Sequence, residues 1–286
     1  MFLKDYPLSR VTALGVGGPA DFFISPRNVE EIIQAQQFAL EQKHPLTVIG
    51  YGTNLLVRDG GIRGVVIQLA APFARAKVVG TMLTATTGCL LGSLSKLSLQ
   101  HGLSGLEFAV GIPGGLGGAA FMNAGAYGGE IGPLIRQVEF VHGGKAGRWS
   151  AEEFSYSYRH SRLQEEKVIV TNLTLELEPR EKNLILSKML ELQTERGRKQ
   201  PLEYPSAGST FKRPEGHYVG PMIEKAGLKG LRIGGAEVST KHAGFLVKVG
   251  EAKAQDFLDL IQYIQTIILE KYQVALEPEI RIIGEG

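Results

Sequence analysis

Glycine is concentrated in one segment of this chain, where residue types and spacing suit the binding of an anion. Between Gly111 and Gly132, nine of twenty-two residues are glycine, and charge is almost absent until Glu130. This density indicates backbone that approaches a ligand closely and offers N–H groups to an anion such as phosphate. The alternative is a set of tight turns that packs one element against another. We favour the anion site, because Asn123, Ala124 and Tyr127 lie within the same run.

A second group of residues that could bind an anion is a cluster of cationic side chains in the later part of the chain. Its members are Arg196, Arg198, Lys199, Lys212 and Arg213. Arginine and lysine form strong charge-assisted hydrogen bonds with phosphate, so the cluster suits a diphosphate. Because cations also collect at helix C-termini, a structural origin stays open.

The sequence gives little support to three common kinds of site: a metal site, a phosphate loop and a dinucleotide-binding fold. The six histidines include no pair at helical i, i+4 spacing and no neighbouring thiols, which argues against a metal site. The sequence has no Gly-x-x-x-x-Gly-Lys-Ser/Thr phosphate loop. Gly115-x-Gly117-x-x-Ala120 matches the dinucleotide fingerprint, with Glu139 roughly 20 residues on as a ribose ligand. That match is weak because loop residues soon follow, and a Rossmann dehydrogenase is the second enzyme hypothesis.

Composition narrows the class of protein. The 286 residues suffice for two or three lobes. Lys and Arg total 31 against 29 acids, so the net charge of +2 indicates neither nucleic acid nor membrane as a partner. A single cysteine, Cys89, excludes an internal disulfide framework and fits a reducing compartment. With no apolar leader and no run of ~18 apolar residues, we expect a cytoplasmic protein without membrane insertion.

Hydrophobic periodicity predicts the elements that position these residues. Asn28 caps a predicted helix ending near Lys43, and further helices are expected over 90–100, 181–197 and 252–272. Predicted strands cover 46–49, 64–69, 81–87, 138–141, 168–177 and 274–283. Ser150 and Glu153 form a capping-box pattern that predicts a short helix ending near Tyr158. Breaks rich in proline and glycine place a domain boundary near 198–204.

The last predicted strand sorts its side chains onto two faces. Alternation puts Val274, Leu276, Ile280 and Ile282 on one side and Glu277, Glu279 and Arg281 on the other. Pro278 on the apolar side indicates an edge position. The charged face either lines a site or is solvated, and the pattern alone leaves both open.

Eight motifs, in order along nearly the whole chain, resemble those of the UDP-N-acetylenolpyruvoylglucosamine reductase family. They are Gly111-Ile112-Pro113-Gly114, Asn123-Ala124-Gly125-Ala126-Tyr127-Gly128, Ser157-Tyr158-Arg159, Ala207-Gly208-Ser209-Thr210-Phe211-Lys212, Ala226-Gly227-Leu228-Lys229-Gly230, Gly234-Gly235-Ala236, Lys241-His242-Ala243-Gly244-Phe245 and Leu276-Glu277-Pro278-Glu279-Ile280-Arg281-Ile282-Ile283-Gly284.

The resemblance implies an α+β fold. Its FAD-binding domain is of the vanillyl-alcohol-oxidase/p-cresol-methylhydroxylase type, with one lobe over residues 1–70 and a second over 71–200. An α+β substrate-binding domain follows over 201–286. The implied activity is NADPH-dependent reduction of UDP-N-acetylglucosamine enolpyruvate to UDP-N-acetylmuramate, for peptidoglycan and cell-wall synthesis in the cytoplasm. We expect a monomer.

Roles carry over from the family residue by residue. Arg159 matches the catalytic arginine, Ser209 the proton donor and Glu279 the second acid. Two loops and one arginine match the flavin site: Gly50, Tyr51, Gly52, Thr53 and Asn54; Gly111, Ile112, Pro113, Gly114, Gly115, Gly117, Gly118, Asn123, Ala124 and Gly125; and Arg196. Expected substrate ligands are Tyr127, Lys199, Lys212, Arg213 and Arg281.

The implied chemistry accounts for these residue types. Hydride addition to the terminal vinyl carbon of the enolpyruvyl group leaves negative charge delocalised into its carboxylate, and that charge must be met as it develops. Arg159 offers a fixed cationic fork, and Glu279 acts in its protonated form or through water. Ser209 then supplies a proton to carbon. The structural alternatives are a surface ion pair for Arg159 and a turn hydroxyl for Ser209.

The sequence departs from the family pattern at two positions. Gly115 stands where serine, threonine or another small side chain is usual, and Lys248 where asparagine is common. The short stretch between Arg159 and Arg196 resembles the subgroup without an inserted tyrosine-bearing lid. Neither flavin loop contains His or Cys, so FAD is expected to bind non-covalently. A related FAD-dependent oxidase or a non-catalytic flavin-binding module is the alternative.

Overall fold

The computed structural model of the chain describes residues 2–286. The helices are α1 (Val29–Glu41), α2 (Leu91–Gln100), α3 (Leu116–Phe121), α4 (Lys182–Lys199), α5 (Val219–Lys225) and α6 (Ala254–Tyr272). The strands are β1 (Leu3–Pro7), β2 (Pro19–Ile24), β3 (Leu46–Ile49), β4 (Leu55–Val57), β5 (Ile62–Gln68), β6 (Ala76–Val79), β7 (Met82–Thr86), β8 (Leu103–Ser104), β9 (Gly125–Ala126), β10 (Gly129–Glu130), β11 (Ile135–His142), β12 (Lys145–Ser150), β13 (Tyr156–Ser157), β14 (His160–Ser161), β15 (Ile169–Glu176), β16 (Glu178–Pro179), β17 (Ser206–Ser209), β18 (Arg232–Ile233), β19 (Ala236–Val238), β20 (Phe245–Lys248) and β21 (Arg281–Ile283).

The chain forms two compact units, and each is discontinuous in sequence. The first unit contains Phe2, Phe23–Tyr51 and Gly64–Arg196. The second unit contains Leu3–Phe22, Gly52–Arg63 and Gly197–Gly286. Across residues 2–286, no helix has both the length and the apolar character needed to cross a bilayer.

A five-stranded antiparallel sheet forms the centre of the first unit, in the order β12-β11-β15-β7-β6. Its core includes the fully buried Leu173 and Leu175 of β15 together with Leu94 of α2 and Leu116 of α3. The same unit contains a parallel pair, in which β3 lies beside β5. The short helix α3, which lies within the glycine-rich segment, is therefore fixed to the core by its apolar side.

A four-stranded antiparallel sheet, ordered β17-β20-β19-β18, belongs to the second unit. The apolar stripe of α6 completes its core, since Phe257, Leu260, Ile264 and Ile268 are all fully buried. A separate parallel pair joins β21 to β4. This pair ties the end of the chain to residues 55–57.

Most predicted elements are confirmed, with ends that differ by a few residues. Asn28 caps α1 as expected, because its Oδ1 accepts a hydrogen bond from the Glu31 N–H at 2.9 Å. Helices α2, α4 and α6 and strands β3, β5, β7, β11 and β15 also form where periodicity placed them.

The predicted helix after Ser150 is wrong. Glu153 does accept a hydrogen bond from the Ser150 N–H at 2.8 Å, which is one half of the capping box. Only a turn follows, because Phe154 is buried in the core and Tyr156–Ser157 pairs with His160–Ser161. Burial and strand pairing thus prevail over the local capping signal.

The final strand is shorter than predicted, beginning at Arg281 rather than Val274. The residues before it have other backbone partners: an isolated antiparallel bridge joins Pro278 to Phe211. The alternation still holds in part, since Leu276 and Ile280 are buried while Glu277 and Arg281 are exposed.

Candidate active site

The glycine-rich loop of the first unit presents backbone donors at the start of α3. The N–H groups of Leu116 and Gly117 bind the carbonyls of Cys89 and Thr87, at 2.8 and 3.0 Å. Within residues 2–286, the N–H groups of Gly114 and Gly115 donate no hydrogen bond. Backbone donors left open in a helix-opening turn suit an anionic ligand.

Asn123 fastens this loop to the chain segment around residue 157. Its side chain is buried, with Oδ1 accepting from the Gly132 N–H at 2.9 Å. Its Nδ2 donates to Glu130 and to the Ser157 carbonyl, each at 3.0 Å. The side chain is therefore engaged in holding the loop, while its role toward a cofactor stays a prediction.

Arg159 lies in the turn of the β13–β14 hairpin, with a φ of +57°. Its Nη2 donates to the Gly125 carbonyl at 3.4 Å, and its guanidinium lies 4.9 Å from the centre of the Tyr158 ring. The structure thus brings two predicted site residues together, Arg159 and Gly125. A non-glycine residue at positive φ is uncommon and often marks a functional position.

Arg196, in the last turns of α4, packs against the start of the glycine-rich loop. A Cβ on Gly111 would lie 2.7 Å from the Arg196 Cδ, so glycine makes room for this side chain. The Arg196 Nε is buried and has no hydrogen-bond partner within residues 2–286. Burial lowers the pKa of Arg196, and the Tyr127 phenol acts in the opposite direction. A buried donor without a partner is costly, so this site suits an anionic partner.

Tyr51 packs against Gly115. The Tyr51 hydroxyl donates to the Gly88 carbonyl at 2.9 Å, and burial raises the pKa of Tyr51. A Cβ at Gly115 would lie 3.1 Å from the Tyr51 ring and 3.0 Å from the Thr87 carbonyl oxygen. The Tyr51 ring therefore occupies the space beside residue 115, the position at which the family pattern usually has a residue larger than glycine.

In the second unit, backbone hydrogen bonds join the segment that follows Ser209 to the segment that contains Glu279. The Glu279 N–H donates to the Thr210 carbonyl at 2.8 Å, and the Lys212 N–H donates to the Glu277 carbonyl at 2.8 Å. Two residues separated by 70 positions in the sequence therefore project from adjacent backbone.

A β-bulge sets the direction of Ser209. In the β17–β20 pairing, Ser206 faces Val247 and Ser209 faces Phe245, which leaves one extra residue on β17. Bulges reorient side chains near functional sites. Ser209 is exposed, whereas the next residue, Thr210, is buried and accepts a hydrogen bond from the Leu246 N–H through Oγ1 at 3.2 Å.

Asn54, from the predicted first flavin loop, binds the backbone of Glu279 and of Arg281. Its Nδ2 donates to the Glu279 carbonyl at 3.2 Å, and its own carbonyl accepts from the Arg281 N–H at 2.9 Å. Gly52 is required nearby, since it has a φ of +66° and a Cβ would lie 2.2 Å from the Val11 carbonyl oxygen. The loop is thus tightly held at both of these residues.

The predicted cations of the second unit have varied surroundings. Lys212 forms an ion pair with the exposed Glu277. The Arg213 guanidinium lies 3.9 Å from the centre of the Tyr218 ring. Lys199 and Arg281 are exposed. Lys248, where the family commonly has asparagine, donates through Nζ to the Gly15 carbonyl at 3.2 Å and so holds the turn near residue 15.

Comparison with protein families first defines the class. Residues 20–145 match the FAD binding domain family, and residues 200–283 match the C-terminal domain of UDP-N-acetylenolpyruvoylglucosamine reductase. The chain is therefore a flavoprotein, and the expected α+β architecture with an FAD-binding domain and a C-terminal domain is confirmed.

Individual relatives cover nearly the full chain. A UDP-N-acetylenolpyruvoylglucosamine reductase of Lactobacillus acidophilus is 49% identical over 283 residues, which are 99% of this chain and 95% of that protein. The enzyme of the same name from Listeria monocytogenes is 46% identical over 280 residues, 98% of this chain and 94% of that protein. The crystal structure of the Thermus caldophilus reductase superposes with a TM-score of 0.84 at 37% identity, covering 99% and 98% of the two chains. The chain belongs to the UDP-N-acetylenolpyruvoylglucosamine reductase family.

The residues of the first unit fit FAD. The open N–H groups of Gly114 and Gly115 suit a diphosphate, and the buried, unpartnered Nε of Arg196 suits a negatively charged or acceptor group. Neither feature is explained by contacts within residues 2–286, and both belong to residues expected to hold the cofactor.

One residue beside this site is absent from the sequence-based set. Gln164 binds the backbone of Arg159, as described below. It lies in no motif and in no helix or strand of recognisable periodicity, and a lone glutamine in such a segment carries no signal in the sequence.

Proposed function

We propose that this chain reduces UDP-N-acetylglucosamine enolpyruvate to UDP-N-acetylmuramate, with NADPH as reductant, in the synthesis of peptidoglycan precursors. The near-complete alignment with reductases that are 46% and 49% identical carries the assignment of the reaction. The hydrogen bond from the Glu279 N–H to the Thr210 carbonyl supports the assignment of residues, because Thr210 directly follows Ser209 and the two candidate proton-handling residues therefore belong to paired backbone segments. Bound FAD supplies the hydride that it has taken from NADPH.

Arg159 is proposed to bind the enolpyruvyl carboxylate. When hydride reaches the terminal vinyl carbon, negative charge develops on the adjacent carbon and its carboxylate. A guanidinium meets this charge with two parallel donors at little reorganisation cost. The constrained turn at Arg159, together with its contact with Gly125, supports a fixed position for the donors.

Ser209 and Glu279 are proposed to complete the reaction. The Ser209 hydroxyl gives its proton to the carbon that bears the ether oxygen, which converts the enolpyruvyl ether into a lactyl ether. Glu279, in its protonated form, donates a hydrogen bond to the developing charge. The exposure of Ser209 beside the Glu279 backbone supports this division of roles.

The remaining assignments follow from charge and position. We propose that Gly114, Gly115 and Arg196 bind the cofactor, and that Tyr127, Lys199, Lys212, Arg213 and Arg281 bind the substrate and its diphosphate. The chain is further proposed to act as a monomer in the cytoplasm, where nucleotide sugars and NADPH are made. The division into domains at residues 1–70, 71–200 and 201–286 is likewise a proposal.

Stopped-flow spectroscopy under anaerobic conditions tests this function. NADPH should bleach the flavin absorbance, and UDP-N-acetylglucosamine enolpyruvate added afterwards should restore it with formation of UDP-N-acetylmuramate. Flavin that is reduced by NADPH but reoxidised only by oxygen would indicate an oxidase instead. Flavin that neither reductant nor substrate affects would indicate a binding module.

A further inference from the structure

The backbone of Arg159 has an uncommon conformation and accepts a hydrogen bond from a side chain outside the eight motifs. Its φ of +57° lies in the left-handed region. For a non-glycine residue this conformation is strained and persists only where the surroundings impose it.

Gln164 supplies that constraint. Its Nε2 donates one hydrogen bond to the Arg159 carbonyl at 3.0 Å and another to the Phe121 carbonyl at 2.9 Å. Phe121 is the last residue of α3, the helix that opens at Gly115. One amide group therefore links the turn that bears Arg159 to the helix within the glycine-rich segment.

Two further hydrogen bonds hold the hairpin whose turn contains Arg159. Ser161 Oγ donates to the same Phe121 carbonyl at 2.9 Å, and Asn123 Nδ2 donates to the Ser157 carbonyl at 3.0 Å. Ser157 and Ser161 lie on the two strands of the hairpin. These bonds hold the strands, whereas Gln164 alone among the three side chains binds the Arg159 turn itself.

We propose that Gln164 is a positioning residue for Arg159: its amide holds the turn in the left-handed conformation and so aims the guanidinium. This rests on the carboxylate-binding role proposed for Arg159. The two shortest Nε2 bonds end on carbonyl oxygens and a third, longer contact reaches the Met122 Sδ at 3.9 Å, so a donor is needed at this position. A carboxylate there would face two acceptors and repel them.

The test compares Gln164→Met with Gln164→Glu in the FAD-loaded enzyme. Met keeps the length and removes the donor, and Glu keeps the shape and reverses the polarity. Loss of one hydrogen bond that acts in the transition state corresponds to roughly tenfold in rate. We expect flavin reoxidation by substrate to slow about tenfold or more in both variants, with flavin reduction by NADPH changed less than about threefold. Gln100→Met, at an exposed position in the same unit, is the matched control.

A double-mutant cycle separates positioning from a general structural role. In an Arg159→Ala background, Gln164→Met should slow reoxidation no further, because the group that it positions is gone. Equal slowing of both half-reactions, or additive losses in the double variant, would overturn the proposal. Melting curves and flavin content identify a variant that fails to fold, in which case Gln164→Asn, with its amide one methylene short, is measured instead.

The same cycle distinguishes failure of the role proposed for Arg159 from failure of the role proposed for Gln164. Normal reoxidation in Arg159→Ala alone overturns the role proposed for Arg159, and the positioning role with it. Slow reoxidation in Arg159→Ala, together with normal reoxidation in Gln164→Met and Gln164→Glu, overturns only the role of Gln164.

Discussion

The N–H of Glu279 donates a hydrogen bond to the carbonyl of Thr210 at 2.8 Å, directly beyond Ser209. Backbone pairing of this kind fixes neighbouring side chains more firmly than contact between mobile side chains, since it constrains both chain segments. The Asn54 Nδ2 donates a second hydrogen bond to the backbone of the same residue, at the Glu279 carbonyl. The position of Glu279 is thus set by backbone bonds, and its carboxyl can be changed without removing them.

Replacing Ser209 by alanine should separate the two half-reactions. The variant loses only a hydroxyl at an exposed position, so its fold and its reduction by NADPH should stay close to the parent. Reoxidation by substrate should slow by roughly 10²- to 10⁴-fold, the range for loss of a general acid. Stopped-flow absorbance of the flavin measures both steps, and equal slowing of the two would identify a structural serine.

Glu279→Gln should abolish reoxidation while preserving binding. The change keeps size but removes the acidic proton, and loss of one preorganised donor to a developing charge costs on the order of 3–4 kcal/mol. Glu277→Gln is a matched control two residues away, exposed and paired with Lys212, where ~0.5 kcal/mol or less is expected. Turnover of Glu279→Gln within about threefold of the parent would remove Glu279 from the catalytic set.

Arg196→Met should affect the flavin-free protein and the cofactor in opposite directions. Methionine retains packing on Gly111 and removes a buried donor without a partner, so the flavin-free protein should gain about 1 kcal/mol. Loss of a charge-assisted hydrogen bond should weaken FAD binding by roughly 10- to 100-fold. Calorimetry and flavin-fluorescence titration measure the two effects. Arg198→Met, at an exposed position of α4, is the control, and equal FAD affinity in both variants would contradict the assignment.

Gly115→Ser should weaken FAD binding, although it restores a residue type usual in the family. The new Cβ would lie 3.0 Å from the Thr87 carbonyl oxygen and 3.1 Å from the Tyr51 ring, so that ring must move. Overpacking of this kind costs about 1–3 kcal/mol. Gly197→Ser, where a Cβ would have no heavy atom within 4 Å, is the control in the same fluorescence titration. Tighter FAD binding by Gly115→Ser would show that the serine hydroxyl outweighs the clash.

Much of this site was predictable from sequence because its residues lie in motifs. The alternation around Glu279 correctly separated buried Leu276 and Ile280 from exposed Glu277. Long-range pairing was not predictable: no local pattern shows that the residues before Arg281 pair with Thr210–Lys212 instead of extending the strand. The helix expected after Ser150 failed for the same reason, since its capping signal is local and the competing hairpin is not.

The layout of the second unit constrains when it can fold during synthesis. Its core includes Leu14, Val16 and Leu56, and its parallel strand pair joins β4 to β21. The ribosome makes β4 early and β21 last of all the strands, and at typical elongation rates roughly 10 to 45 s separates them. Throughout that interval these early apolar residues lack their partners in the nascent chain. The second unit can therefore complete its core only after nearly the whole chain has been made.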